Sequence, residues 1–348
     1  MSLDGVKIKF LVLSLTGKCN FACKYCYASE HDQRQMSAET ALRSVKLAAE
    51  SGERFIIQFS GGEPLLNFEC LQTVTDWVRE HNINADLRIQ TNASLLTDAI
   101  AAYLYKNKIA IGVSLDGRPA VNDKLRLTSG GDGATGSTVR GINVLRQNNI
   151  LCGITCVVTE ENVDELPGVV EFAYFLGNVR RLGFDLLRGQ GRGAGLAPPT
   201  EAQMNSAMEK VFARNDALSV QAGYKIGISQ QERAEVLRHN SSYEFGHCYA
   251  MNGEAAFVDA KGDIYSCSSL IGNEDFYIGN VTEGIAAEKV QSVRRRIREA
   301  MLFCRHCRDF SLCGGGCFAR WYGSGRKQAY ESECALKRSA IRQILKCK

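Results

Sequence analysis

No apolar run in the 348 residues approaches the roughly 18 that a membrane-spanning helix requires. The start, Met1-Ser2-Leu3-Asp4, has no signal-peptide pattern. Both absences predict a soluble, cytoplasmic protein with no membrane partner. Charge of one sign is also scarce: 42 Lys and Arg stand against 38 Asp and Glu, a net +4. Nucleic-acid binders concentrate basic residues in a stripe, and the densest stretch here, Arg294, Arg295, Arg296 and Arg298, is mixed with Glu299 and reads as a solvated helix face. No nucleic acid is expected. Apolar material is plentiful: 45% hydrophobic against 23% charged residues excludes a disordered chain and predicts one large domain plus a small one.

Cysteine is the residue in excess. Of 14 cysteines, three lie within residues 19–26 and eight within 248–347, leaving only Cys70, Cys152 and Cys156 between. Clustered cysteines without a secretory signal point to metal ligands rather than disulfides. The three isolated ones sit in apolar runs and read as small buried hydrophobes.

From residue 7 to about 190, β-rich runs over 7–15, 55–60, 86–92, 109–115, 151–159 and 181–187 alternate with helical patterns. The helix over 38–51 is the clearest. Ser37 caps it, Ala38, Ala41, Leu42, Val45, Ala48 and Ala49 form one apolar stripe, and Gly52 ends it. Six βα units, short of the eight of a closed barrel, predict an α/β fold: an open, partial (β/α)6 TIM-type barrel with functional groups at the strand C-terminal ends. Residues 1–195 form this barrel and 196–245 a connecting helical region. From 246 to 348 the composition shifts to glycine, cysteine and short β runs, marking a second domain. The glycine-rich stretch 188–195 lacks a following Gly-Lys-Ser/Thr, so it is not a P-loop and reads as a flexible connection over the barrel top.

Cys19, Cys23 and Cys26 follow the first strand with C-x3-C-x2-C spacing. Three thiolates so close together on a loop can wrap three corners of an iron-sulfur cubane and leave the fourth iron open. The alternative is a structural zinc knuckle, for which His31 is the nearest fourth ligand. Tyr25 supplies an aromatic residue just before the third cysteine, and Ser60-Gly61-Gly62-Glu63-Pro64 closes the second strand. With both motifs the chain resembles the radical SAM superfamily. The resemblance implies a [4Fe-4S] cluster on Cys19, Cys23 and Cys26, and S-adenosylmethionine held by Tyr25, Ser60, Gly61, Gly62, Glu63, Asn92, Ser114 and Arg126. Glycines permit close approach to the cofactor, a strand-end carboxylate suits its ammonium group, and arginine suits its carboxylate. Asp123 and Arg126 as a solvated helix pair is the bland alternative. The end of strand six, near Leu187, is expected under the adenine.

In the C-terminal third the spacing is Cys248-x13-Gly262-x4-Cys267, Cys304-x2-Cys307-x5-Cys313-x3-Cys317, then Cys334. This resembles the seven-cysteine pattern of SPASM auxiliary-cluster domains, found on radical SAM peptide and protein maturases. Seven thiolates cannot fill two sites of four, so one cluster is short of a ligand. The resemblance assigns Cys304, Cys307, Cys313 and Cys334 to a complete outer cluster, and Cys248, Cys267 and Cys317 to an inner one. The inner fourth site is either open or filled by His247, Glu244 or Cys347. Zinc-ribbon sites remain the alternative for this domain. The total is three [4Fe-4S] clusters, one binding SAM and two auxiliary.

The resemblance further implies an enzyme that cleaves SAM reductively and uses a 5′-deoxyadenosyl radical to abstract hydrogen from a peptide or protein, with a flavodoxin- or ferredoxin-type donor. An open inner cluster suits a substrate thiolate, and hence thioether formation in a ribosomally made peptide. Anaerobic sulfatase maturases share the architecture but carry an aspartate, their proposed base, after the second SPASM cysteine, where this chain has Ser268. An iron-sulfur electron-transfer protein that leaves SAM intact is the reading from another class. Only 18 residues precede Cys19, so a leader-binding domain is expected elsewhere, on a separate protein or on the barrel and SPASM faces.

Overall fold

Runs rich in Val, Ile and Phe form six parallel strands: β1 (Phe10–Ser14), β2 (Phe55–Ser60), β3 (Ala85–Thr91), β4 (Ala110–Ser114), β5 (Cys152–Val158) and β6 (Val179–Leu186). The structure, a computed structural model, describes residues 6–240, 245, 248–324 and 327–346. β1 starts three residues later than the apolar run. Lys9 and Phe10 both donate to the Glu254 carbonyl (2.9 and 3.1 Å), so the ladder to β2 begins at the Phe10–Ile56 pair. Helices α1 (Ala38–Ala49), α2 (Phe68–Glu80), α3 (Asp98–Lys106), α4 (Pro119–Leu125), α5 (Thr135–Gln147) and α6 (Leu166–Leu176) fill the intervals. α1 begins where Ser37 Oγ accepts from the Thr40 amide at 3.0 Å, buries Ala41, Val45, Leu47 and Ala48, and gives way to Gly52 at φ +67°.

The segment after the glycine-rich stretch holds α7 (Glu201–Ala222) and α8 (Ser229–His239), with β7 (Gly227–Ile228) between them pairing parallel to β6. A Thr200–Gln203 capping box opens α7 and a left-handed Gly223 closes it. Beyond Cys248 the elements are α9 (Tyr249–Asn252), β8 (Ala255–Val258), β9 (Asp263–Tyr265), β10 (Tyr277–Asn280), β11 (Gly284–Ile285), α10 (Ala287–Ala300), α11 (Leu302–Arg305), α12 (Phe310–Cys313), α13 (Phe318–Ser324) and α14 (Lys327–Lys346).

β8 runs parallel to β1 on the side away from β2, and β9, β10 and β11 follow antiparallel. Among the described residues the strand order is β11-β10-β9-β8-β1-β2-β3-β4-β5-β6-β7. This order is linear, so the barrel is open, as six βα units imply. The six-strand count, however, omits two parallel neighbours. β7 is two residues long, and β8 is buried at all four positions, so neither shows alternation. One sheet therefore runs through all three expected segments. Leu13, Ile57, Phe59, Ile89 and Val113 lie fully buried beneath the helices, and Cys70, Cys152 and Cys156 are buried with them. No helix of the described residues is long and apolar enough to cross a membrane.

Candidate active site

The loop carrying the first three cysteines is gripped from two sides by glycines. The Gly62 and Glu63 amides donate to the carbonyls of Thr16 (2.7 Å) and Lys18 (2.9 Å). A Cβ on Gly62 would lie 2.2 Å from the Lys18 oxygen, and one on Gly61, at φ +129°, 2.3 Å from that of Thr16. The close approach these glycines permit is thus to the loop leading into Cys19. On the other side, residues 191–195 form a 3₁₀ turn. The Arg192 amide donates to the Cys26 carbonyl (3.0 Å) and its Nε to that of Cys23 (2.9 Å), and a Cβ on Gly191 would lie 2.6 Å from the Cys26 oxygen. The expectation of a flexible connection is corrected: lack of side chains lets two backbones touch, and the stretch is an ordered clamp.

Glu63 also departs from expectation. It is fully buried and absent from the residues lining the cavity described below. Its Oε1 accepts from Thr91 Oγ1 (2.6 Å) and the Leu65 amide (3.1 Å), and its Oε2 from the Asn92 amide (2.7 Å). The carboxylate ties the β2 turn to the end of β3 and is not presented to a ligand's ammonium group. Burial pushes its pKa up against these donors.

Arg126 is buried too, which removes the solvated-pair alternative. Its Nη1 donates to Tyr25 Oη (2.5 Å), and that hydroxyl donates to Asp116 Oδ2 (2.5 Å). Asp116 Oδ1 accepts from the Val157 amide at 2.9 Å, while Asp123 accepts from the Thr135 amide and hydroxyl. Burial raises the Asp116 carboxyl, opposed by the Arg126 guanidinium. Asn92 bridges to Asn20 Oδ1 (2.8 Å) and points its amide toward Cys19 Sγ at 3.9 Å.

Beside these groups lies one cavity of about 330 Å³. Cys19, Cys23, Cys26, Tyr25, Ser60, Gly61, Gly62, Asn92, Ser114 and Arg126 all line it, leaving Glu63 as the one expected cofactor contact set back from the wall. A second groove of about 420 Å³ beside β7 is lined by Lys225, Ile228, Glu232 and Ile344 and has no thiol among its lining residues. Sequence reasoning missed several cavity residues. Gln90, which donates to Ser114 Oγ at 2.9 Å, and Gln58 are polar residues inside strands, a signal that was available. Asp185 and Arg188, paired at 2.8 Å, belong to the end of β6, where the expectation stopped at Leu187. Phe257 of β8 and Ser268, next to Cys267, also line it.

Several of the C-terminal thiols lie close enough to influence one another electrostatically. Cys317 feels Cys267 and Cys248, and burial pushes its thiol up to about 12 and that of Cys267 to about 11. Cys304 feels Cys313, Cys313 feels Cys307, and Arg338 interacts with both Cys307 and Cys334. Arg338 Nη2 lies 3.7 Å from Cys307 Sγ. Between the sets, Glu333 Oε1 accepts from the Cys317 amide at 3.0 Å and from Arg320 Nη1 at 2.8 Å. His247, Glu244 and Cys347, the other candidates for the inner set, lie outside the described residues. Among the described residues, no three His, Cys, Asp or Glu side chains converge closely enough to hold a single bare ion.

The description "Radical SAM superfamily" matches residues 13–173. An uncharacterized protein of Methanocaldococcus jannaschii is 32% identical over 304 residues, covering 86% of this chain and 98% of that protein. The chain belongs to the radical SAM superfamily. The radical SAM cyclopropyl synthase TigE of Paramaledivibacter caminithermalis is 25% identical over 381 residues, covering 98% of this chain and 75% of TigE. The solved structure of native anSMEcpe with bound AdoMet and the Cp18Cys peptide shares the fold, with a TM-score of 0.79 at 20% identity, over 98% of this chain and 99% of that one. This chain is therefore a radical SAM enzyme, and membership implies SAM and a [4Fe-4S] cluster. The residues present fit that cluster: three soft thiols, all on one loop, line the same cavity. Burial pushes Cys19 up to about 11, so binding metal there displaces a proton.

Proposed function

We propose that this radical SAM enzyme is a SPASM-type maturase that abstracts a hydrogen atom from a peptide or protein substrate. The observation that carries the reading is that one cavity is lined both by Cys19, Cys23 and Cys26 and by Ser268, adjacent to Cys267. Substrate placed there would lie between the SAM cluster and the inner auxiliary set. When bound and reduced, the cluster supplies the electron that cleaves SAM to methionine and a 5′-deoxyadenosyl radical. The chain contributes position. Cys19, Cys23 and Cys26 hold the cluster, Ser60, Asn92, Ser114 and Arg126 hold SAM, and Tyr25 and Asp116 keep Arg126 oriented. Phe257 closes the cavity against water. Cys248, Cys267 and Cys317 hold one auxiliary cluster and Cys304, Cys307, Cys313 and Cys334 another. A low-potential donor and reduced thiols suit a cytoplasmic setting.

Two products fit this reading. An inner set of three thiols leaves a place for a substrate sulfur, which favours a thioether cross-link. The likeness to TigE over nearly the whole chain favours the second, carbon–carbon bond formation. Ser268 lines the cavity where a maturase acting on sulfatases carries its aspartate, so the sulfatase-type oxidation is set aside.

Anaerobic reconstitution should give about 12 iron atoms per chain. Reduction with SAM should release 5′-deoxyadenosine, and Cys19→Ala/Cys23→Ala/Cys26→Ala should abolish it while keeping about eight irons. Stoichiometric zinc, or cleavage surviving in the triple variant, would overturn the reading. Mass spectrometry of a cysteine-containing peptide against its cysteine-to-serine form separates thioether from carbon–carbon products.

A further inference from the structure

Residues 287–346 contain 14 Lys and Arg against five Asp and Glu, a net +9 in a chain whose total is only +4. The rest of the chain is therefore net acidic, and the basic charge is gathered on the cysteine-rich end. The basic stretch of α10 is not uniformly solvated. Arg298 turns inward to the Met251 carbonyl (3.1 Å) and Arg296 pairs with Asp275 (2.7 Å), while Arg295 is exposed. On α11 and the turn after it, Arg305, His306 and Arg308 are exposed, the last with 92% of its side chain in solvent. Among them stand apolar residues that a solvated surface does not require: Leu302 is 48% exposed and Phe303 38%. The Phe303 ring packs on Trp321 (6.3 Å), which joins through Phe318 to Tyr322, 42% exposed. Cys304 is buried directly behind Phe303 in the chain, with Cys307 one turn on.

We infer that the surface carrying Leu302, Phe303, Arg305, Arg308 and Tyr322 is the docking face for an acidic electron-carrier protein, and that the outer thiol set behind it is where the electron enters. This rests on the reading above that Cys304, Cys307, Cys313 and Cys334 hold a cluster. An apolar centre with a cationic rim is the build of a transient interface: the rim steers an anionic partner and the centre gives contact. The face is separate from the substrate's wall, since no residue lining the cavity comes from 269–346. The exchange is a one-electron step. The reduced carrier is oxidised by one electron, the outer cluster is reduced by one, and no bond forms or breaks.

The test compares two reductants on the reconstituted full chain: an acidic flavodoxin in its reduced form, and dithionite, which needs no docking. Cluster bleaching is followed by stopped flow. Flavodoxin-driven bleaching should slow steeply with added salt, and Arg305→Glu/Arg308→Glu should slow it about tenfold or more. Dithionite-driven bleaching and iron content should match those of the unsubstituted chain. Cys304→Ala/Cys307→Ala, which removes the entry point, should lose the fast flavodoxin phase. Salt-independent reduction, an undiminished rate in the charge-reversal variant, or a fast phase persisting without Cys304 and Cys307 would each overturn the inference. An unsubstituted chain holding only about four irons would instead overturn the auxiliary-cluster reading itself.

Discussion

Arg320 lies three residues after Cys317 in the sequence, yet its Nε donates to the main-chain oxygen of Leu186 (3.1 Å), the last residue of β6. The same guanidinium bonds to Asp185 and donates to Glu333 at 2.8 Å, so one buried arginine ties the strand end at the cavity to the backbone between the two C-terminal thiol sets. Although burial pushes the Glu333 carboxyl up, Arg320 and Lys337 bring it below its ordinary value. Arg320→Met leaves this buried carboxylate with Lys337 as its remaining counter-charge and should cost about 3 kcal/mol by chemical denaturation. Arg320→Met/Glu333→Gln should recover part of the loss. A single-variant loss under about 1 kcal/mol would mean that the pair carries little.

Gly62→Ala places a methyl 2.2 Å from the Lys18 carbonyl, where backbone faces backbone and nothing can yield cheaply. The cysteine loop must move. Reconstituted iron should drop from about 12 to about 8 per chain with the fold retained by circular dichroism. Full iron and normal SAM cleavage in this variant would show that the turn does not position Cys19.

Asp116→Asn removes the anion facing Tyr25 and Arg126, leaving a buried cation without its counter-charge. Stability should fall by about 3 kcal/mol and SAM affinity by about tenfold or more, read by equilibrium dialysis. Tyr25→Phe loses the linking hydroxyl but neither charge, and should cost about 1–2 kcal/mol. Equal losses in the two variants would contradict the ordering.

His31 is pushed down to about 4 by burial, and its Nδ1 has no hydrogen-bond partner. The unfolded chain accepts the proton near its ordinary value of 6.5, whereas the folded chain refuses it until about 4. The neutral ring's contribution is therefore present above pH 6.5 and lost as pH falls through that window, by about 2 kcal/mol after allowing for partial exposure. Thermal melts between pH 7 and 5 should fall more steeply for the unsubstituted chain than for His31→Gln. Parallel slopes would remove His31 as the source.

Local chemistry was legible without coordinates. The C-x3-C-x2-C spacing and the Gly61-Gly62-Glu63 turn carry the resemblance to the superfamily, and short spacers keep three thiols within reach of one cluster. Alternating apolar residues place β1–β6 to within three residues, because burial of alternate positions is a local property. Capping is equally local, as Ser37 and Gly52 show at the two ends of α1.

Side-chain direction and long-range pairing needed the fold. Glu63 is a strand-end carboxylate by pattern, but only the packing of β2 against β3 turns it inward onto Thr91 and Asn92. Glycines 191 and 193 read as flexible until the backbones of Cys26 and Tyr25 are brought against them. β7 and β8 join the sheet through neighbours distant in the chain, and Arg320 meets Leu186 across 134 positions. The cysteine spacing together with the Gly61-Gly62-Glu63 turn carried the resemblance to radical SAM enzymes. The tertiary structure decided which polar groups face the cavity and which hold its walls, since that choice depends on residues whose separation in sequence leaves no periodic trace.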